Sequence, residues 1–165
     1  MQQAWQRTES VLLDDPPVGD RVWVGSIGYE RYRDNVRFAQ VLADAGVQRL
    51  IDVRELPISR KRGFAKTALS QACSAAGVEY MHLRELGNPK PIRDIYKAGQ
   101  VEEGRELYEA FLTQERLDAV THLSELLTEM PTALMCVEHD SSTCHRTVIL
   151  EALAASHIDL EVAEL

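Results

Sequence analysis

The sequence predicts an α/β domain: a mainly parallel sheet of about five strands with helices on both faces, a Rossmann-like three-layer sandwich. Two observations predict it. Short apolar runs recur at residues 22–27, 47–53, 78–83 and 132–137, bounded by glycine or polar clusters, as buried strands are. Between them lie stretches whose apolar residues fall three and four apart, the period of an amphipathic helix. Strand–helix alternation of this kind builds a parallel sheet whose crossovers cover both faces.

Each element follows in order. Residues 1–20 carry no sustained period and end in Asp14-Asp15-Pro16-Pro17, so they read as a loosely ordered N-terminal arm. Residues 21–165 read as a single domain. Its first strand, Val22-Trp23-Val24-Gly25-Ser26-Ile27, is stopped by Gly28. Tyr32, Val36, Ala39 and Ala43 then recur at helical spacing, and Gly46 permits the left-handed turn that ends a helix. The second strand ends in Asp52-Val53-Arg54. A helical stripe at Ala65, Ala68, Leu69, Ala72, Cys73 and Ala76 stops at Gly77, and residues 78–83 form the third strand. Roughly twenty residues then pass without clear spacing, the length of a lid or binding loop. Two helices are expected at about 103–112 and 115–130, the second ended by Pro131. The fourth strand, residues 132–137, leads to a helix from Cys144 to Ser156. Residues 158–165 alternate apolar and charged residues, as an edge strand does.

Composition bounds the function. With 26 acidic against 18 basic residues the net charge is −8, which argues against non-specific nucleic-acid binding. No apolar run approaches the ~18 residues of a membrane span. Three cysteines, Cys73, Cys136 and Cys144, without an export signal point to reduced thiols in a cytoplasm. No full dinucleotide glycine fingerprint and no Walker A pattern is present, and no cofactor is expected.

Ligands of such sheets bind beyond the carboxyl ends of the strands, so four segments carry the chemistry. After strand one, Gly28-Tyr29 permits a sharp turn or a close approach. After strand two, residues 54–66 hold five basic residues against one acidic. Arg54, Ser59 and Arg60 before a helix suit an anion. Asp52 orients one of these arginines or acts as a base, with pairing preferred. After strand three come His82 and the basic residues Arg84, Lys90, Arg93 and Lys97, in a stretch able to close over a ligand.

The fourth segment, Met135-Cys136-Val137-Glu138-His139-Asp140-Ser141-Ser142-Thr143-Cys144-His145-Arg146-Thr147, is the densest. It runs from a strand end to a helix start that offers unpaired N–H groups, with Arg146 on its first turn. Such a setting lowers a thiol pKa, making Cys136 or Cys144 a candidate nucleophile. Nine residues separate Cys136 from Arg146, too many for the tight cysteine-to-arginine loop of a tyrosine phosphatase. A zinc set of Cys136, His139, Cys144 and His145 has suitable residue types. It lacks paired Cys-x-x-Cys spacing, however, and adjacent Cys144 and His145 on a helix would point apart, so no metal is assigned. A Cys136–Cys144 thiol–disulfide pair also fits across the loop. Cys73, on an apolar face, is core.

The stretches Gly25-Ser26-Ile27-Gly28-Tyr29, Asp52-Val53-Arg54 with Pro57, Ser59-Arg60 and Gly63-Phe64, Tyr80-Met81-His82-Leu83 with Leu86-Gly87-Asn88-Pro89-Lys90, and Cys136-Val137-Glu138 with Cys144-His145-Arg146 occur in that order. Together they resemble the DUF488 family of uncharacterised, mainly prokaryotic proteins, from about Val22 to the C-terminus. The last residues, Val162-Ala163-Glu164-Leu165, depart from a more hydrophobic ending. The resemblance implies an α/β fold and carries no activity across.

The residues therefore supply the functional expectation. It is an enzyme, a hydrolase or transferase, acting on a small anionic ligand or nucleotide. Tyr29, Arg54, Ser59, Arg60, Lys90 and Arg146 would bind the substrate. Glu138 is the candidate general acid or base, helped by His82 or His145, with Cys136 or Cys144 as nucleophile. The alternatives are a non-catalytic module binding an anion or a nucleic-acid end, and a zinc-binding protein. Oligomeric state is not written in the sequence.

Overall fold

Five strands, β1 (Val22–Gly28), β2 (Arg49–Asp52), β3 (Glu79–His82), β4 (Thr132–Cys136) and β5 (Leu160–Glu164), pair in parallel as one sheet in the order β3-β2-β4-β1-β5. This computed structural model describes residues 21–156 and 158–165; the expected N-terminal arm, residues 1–20, lies outside the described residues. Six helices, α1 (Asn35–Asp44), α2 (Lys66–Ala75), α3 (Lys90–Lys97), α4 (Val101–Glu115), α5 (Leu117–Glu129) and α6 (His145–Ala155), complete the described elements with two short 3-10 turns.

The sheet is buried on both sides because parallel crossovers place helices on both. Every residue of β2 and β4 is buried; β4 accordingly reads as a near-continuous apolar run, while β2 buries Arg49 and Asp52 in ion pairs. On one face α1 and α2 set Phe38, Leu42, Leu69 and Cys73 against Leu50, Ala133 and Met135. On the other, α4, α5 and α6 set Tyr108, Leu112, Leu123, Ile149 and Leu153 against Val24, Ile51 and Leu134. The alternation Leu50/Ile51 and Ala133/Leu134 is the period-two pleat dividing its side chains between two cores. Helix α1 starts where the Asp34 carboxylate accepts from the Arg37 N–H at 2.7 Å. The chain leaves it through Gly46 at φ 77°, where any side chain would be strained.

One expected element is corrected. The stretch after β3 is not an open loop: it forms a 3-10 turn, Arg84–Leu86, and then α3. Pro91 sits in the first turn of α3, where a missing N–H costs nothing. The helix buries no residue fully, and its apolar residues, Ile92, Ile95 and Tyr96, keep helical spacing only over its eight residues. It leans on α4 instead, with the Tyr96 ring over Gly104, where a Cβ would lie 2.7 Å away.

Topology fixes where a ligand can sit. From β2 the chain departs to α2 on one face, and from the neighbouring β4 to α6 on the opposite face. Connections that diverge from adjacent strands leave a crevice over their carboxyl ends. Among the described residues, no helix is long and apolar enough to cross a membrane.

Candidate active site

Strand β4 delivers Cys136 to the floor of that crevice, and the next residues return across the end of β1. Their close passage needs Gly28: a Cβ there would stand 1.8 Å from the Glu138 carbonyl oxygen. The Arg146 guanidinium, wholly buried, holds the same carbonyl from below at 2.6 Å. A 3-10 turn, Ser141–Thr143, follows, capped by the Asp140 carboxylate. Cys144 comes next, at φ −126° and ψ 149°, an extended residue just outside α6. That backbone corrects the expectation that Cys144 and His145 diverge. Only His145 is helical, so the two side chains turn to the same point.

The result is a compact cluster. The sulfurs of Cys136 and Cys144 lie 3.8 and 3.7 Å from the same atom, His145 Nδ1, and the three atoms fall within 4.8 Å of one another. The other ring nitrogen, Nε2, lies 2.8 Å from the Val53 carbonyl oxygen just beyond β2. A carbonyl only accepts, so Nε2 carries a proton and the Nδ1 side of the ring faces the two sulfurs. The Tyr108 ring meets the imidazole edge-on at 5.1 Å.

Burial and neighbours set the charges. Burial pushes the Cys144 thiol up, but the Cys136 hydrogen bond and the His145 and Arg146 charges outweigh it and hold the thiol well below its usual range. Cys136 moves the opposite way, raised by its hydrogen bond to Cys144 and by burial. Two thiols this close titrate as a pair, the first proton leaving more readily than the second. Burial would lower His145, yet the Cys144 thiolate raises it. Burial, then the same thiolate, raises the Glu138 carboxyl.

Above the cluster opens a cleft of about 530 Å³. Its floor holds Cys136, Glu138, Cys144 and His145, and α3 forms one wall with Arg93, Tyr96 and Lys97. Arg93 donates to Glu55 at 2.7 Å and to the Asn88 carbonyl at 2.8 Å. Lys97 is exposed and has no ion pair among the described residues. Two buried wall atoms, Asn88 Oδ1 and the Tyr96 hydroxyl oxygen, lack hydrogen-bond partners. Burial pushes the Tyr96 hydroxyl up to about 12, so it stays a donor at neutral pH. A second hollow of about 230 Å³, between α4, α5 and α6, holds none of these groups.

The family model described as "Domain of unknown function DUF488" matches residues 34–153, most of the chain. The chain belongs to the DUF488 family. No curated protein and no solved structure matches it. The matched span includes the whole cluster, the cleft wall and Arg146, while β1 and β5 fall outside it.

Within this DUF488 domain the residues singled out by sequence separate into two groups. Cys136, Glu138, Cys144 and His145 converge on the cleft floor. Asp52, Arg54 and Tyr29 form a buried knot beside it. Arg54 donates to the Asp52 carboxylate through Nε at 2.8 Å and Nη2 at 2.6 Å, to the Phe64 carbonyl at 2.8 Å, and lies over the Tyr29 ring. It reaches the cleft wall with its charge already answered by Asp52. His82 Nε2 lies 2.7 Å from the Arg54 carbonyl and steadies the same strand end. Ser59 accepts from the Tyr29 hydroxyl, Arg60 is exposed outside the cleft, and Lys90 pairs with Asp94 on the surface. Arg146 acts beneath the floor. Sequence reasoning gave no individual role to Asn88 or Tyr96 and placed Arg93 and Lys97 only among the basic residues of a stretch able to close over a ligand. Their signal was the four-residue spacing of Arg93 and Lys97, legible only once the stretch is known to be helical.

Proposed function

We propose that this DUF488 protein is an enzyme, a hydrolase or transferase acting on a small phosphate-bearing anion such as a nucleotide, bound in the cleft over Cys136, Cys144 and His145. One observation carries the reading. A carboxyl, an imidazole and two thiols share the floor of a cleft whose wall offers an unpaired cation, Lys97, and two unsatisfied polar atoms. Unpartnered polar groups beside reactive side chains are what a polar substrate would satisfy. Lys97 holds the anion, beside Arg93 already paired with Glu55; Glu138 exchanges the proton with the reacting group; the cluster is the reacting centre.

The test is turnover of a panel of phosphate esters and nucleotides by the purified chain. Glu138→Gln should lower kcat by about 10²–10⁴-fold, the usual share of a general acid or base. Its ligand affinity should be retained. Lys97→Ala should raise KM with kcat little changed, as expected for a group that binds ground and transition states alike. A wild type that binds such anions but turns none over would instead make this a binding module, with Glu138 structural.

A further inference from the structure

We propose that Cys136 Sγ, Cys144 Sγ and His145 Nδ1 are three ligands of a zinc ion whose fourth position opens into the cleft. The inference rests on the reading of the cleft as an active site and names the ion at its centre. The geometry points there in three ways. First, both sulfurs stand at nearly the same distance from one nitrogen, 3.8 and 3.7 Å. A tetrahedral zinc with Zn–S of about 2.3 Å and Zn–N of about 2.05 Å separates sulfur from nitrogen by about 3.5–3.6 Å. An isolated thiolate–imidazolium pair asks for one sulfur at the ring, and a disulfide asks for no imidazole. Three atoms sharing one centre are what an ion organises.

Second, the histidine is held as a ligand is held. Its Nε2–H donates to the Val53 carbonyl at 2.8 Å, which fixes the tautomer and turns the Nδ1 lone pair inward. Metal-bound histidines nearly always anchor their second nitrogen this way. Third, the cluster is buried but not sealed: Cys136 and Cys144 are 5% and 2% exposed, and all three residues still line the cleft. Two thiolates and an imidazole are soft donors that favour zinc over magnesium or calcium. Three protein ligands with an open fourth position is the arrangement of catalytic rather than structural zinc. There the ion would polarise a phosphoryl oxygen or bind a water. His139 is exposed and stands outside the cluster, so the set is three residues and not the four weighed and left unassigned from the sequence.

The test uses the full chain, purified under reducing conditions. Zinc is measured by atomic emission, stripped with a chelator and replaced by cobalt(II), whose thiolate charge-transfer and d–d absorption reports ligand type and geometry. The expected result is stoichiometric zinc in the isolated protein and an intense tetrahedral cobalt spectrum. Cys136→Ser should remove roughly half of the charge-transfer intensity, one of two thiolates. His145→Gln should weaken cobalt binding, and Cys73→Val, on the far side of the sheet, should leave the spectrum unchanged. A folded, reduced wild type that retains no zinc and gives no charge-transfer band overturns the site, and that result needs no variant to fold. A spectrum indifferent to Cys136→Ser and Cys144→Ser overturns it equally. The two readings fail separately. Zinc bound by a chain that neither binds nor turns over phosphate-bearing anions would sink the cleft assignment alone, and anion turnover by a metal-free chain would sink the zinc alone.

Discussion

Asp52 lies under the sheet end with no exposed surface, and its carboxylate takes bonds from both sides of the Arg54 guanidinium and from the Tyr80 hydroxyl. A buried carboxylate held so completely acts as an anchor. Asp52→Ala should therefore cost about 3–5 kcal/mol, because it leaves a buried guanidinium without its counter-charge. In a chain of this size the melting temperature should fall by roughly 10 °C. Scanning calorimetry checks it; a change of a degree or two would mean that Arg54 turns out into the cleft and finds water. This residue also marks how far sequence could go. The pairing of Asp52 with Arg54 was legible, since the two stand two apart at a strand end. That Arg54 would be spent on that pair, while Lys97 stayed free, was not legible, because it depends on which side chains face each other across the fold.

At the scale of elements, the cleft floor depends on a close approach between β1 and the loop after β4. Gly28→Ala places a methyl carbon against the Glu138 carbonyl, which Arg146 already holds from below. Neither can yield cheaply, so the loop itself must move. The variant should lose about 1–3 kcal/mol of stability, the usual cost of overpacking. Turnover should fall more than stability alone explains. Comparing kcat with the urea midpoint separates the two; full activity in Gly28→Ala would show that the position of Glu138 does not matter. The glycine was legible as a turn residue, but not its partner, 110 positions further along the chain. Helix α3 was missed for a different reason. Its three apolar residues, Ile92, Ile95 and Tyr96, do fall at helical spacing, but eight residues flanked by prolines, charges and a glycine are too short a stretch to stand out as α1, α2 and α6 do.

For the whole molecule, strand–helix alternation carried the fold class and the five-stranded sheet, because central parallel strands must be apolar on both faces. Strand order was not readable, since nothing local in β4 states that it inserts between β2 and β1. One of the two cores this produces encloses a titrating thiol, Cys73. In the core under α1 and α2, burial and then the nearby Asp52 charge push the Cys73 thiol up to about 12 from an ordinary value of 9.0. A group raised on folding stabilises fully below its unfolded pKa and loses that contribution as pH rises towards the folded one. The contribution of Cys73 to the urea midpoint should then hold level up to pH 9 and fall between 9 and 12. The fall should be shallower in Cys73→Val, which removes the titrating atom while keeping an apolar side chain; an equally steep limb would place its origin elsewhere.

The hydrogen bond from His145 to Val53 joins residues 92 positions apart. Closing so long a loop is an entropic cost that no local helix propensity offsets. It is met only when α6 has docked on the finished sheet. Val53 leaves the ribosome long before Cys136, Cys144 and His145, so during synthesis its carbonyl waits for the imidazole it will hold. The centre is thus assembled late, and its aim is lost as soon as the ends of β2 and α6 part.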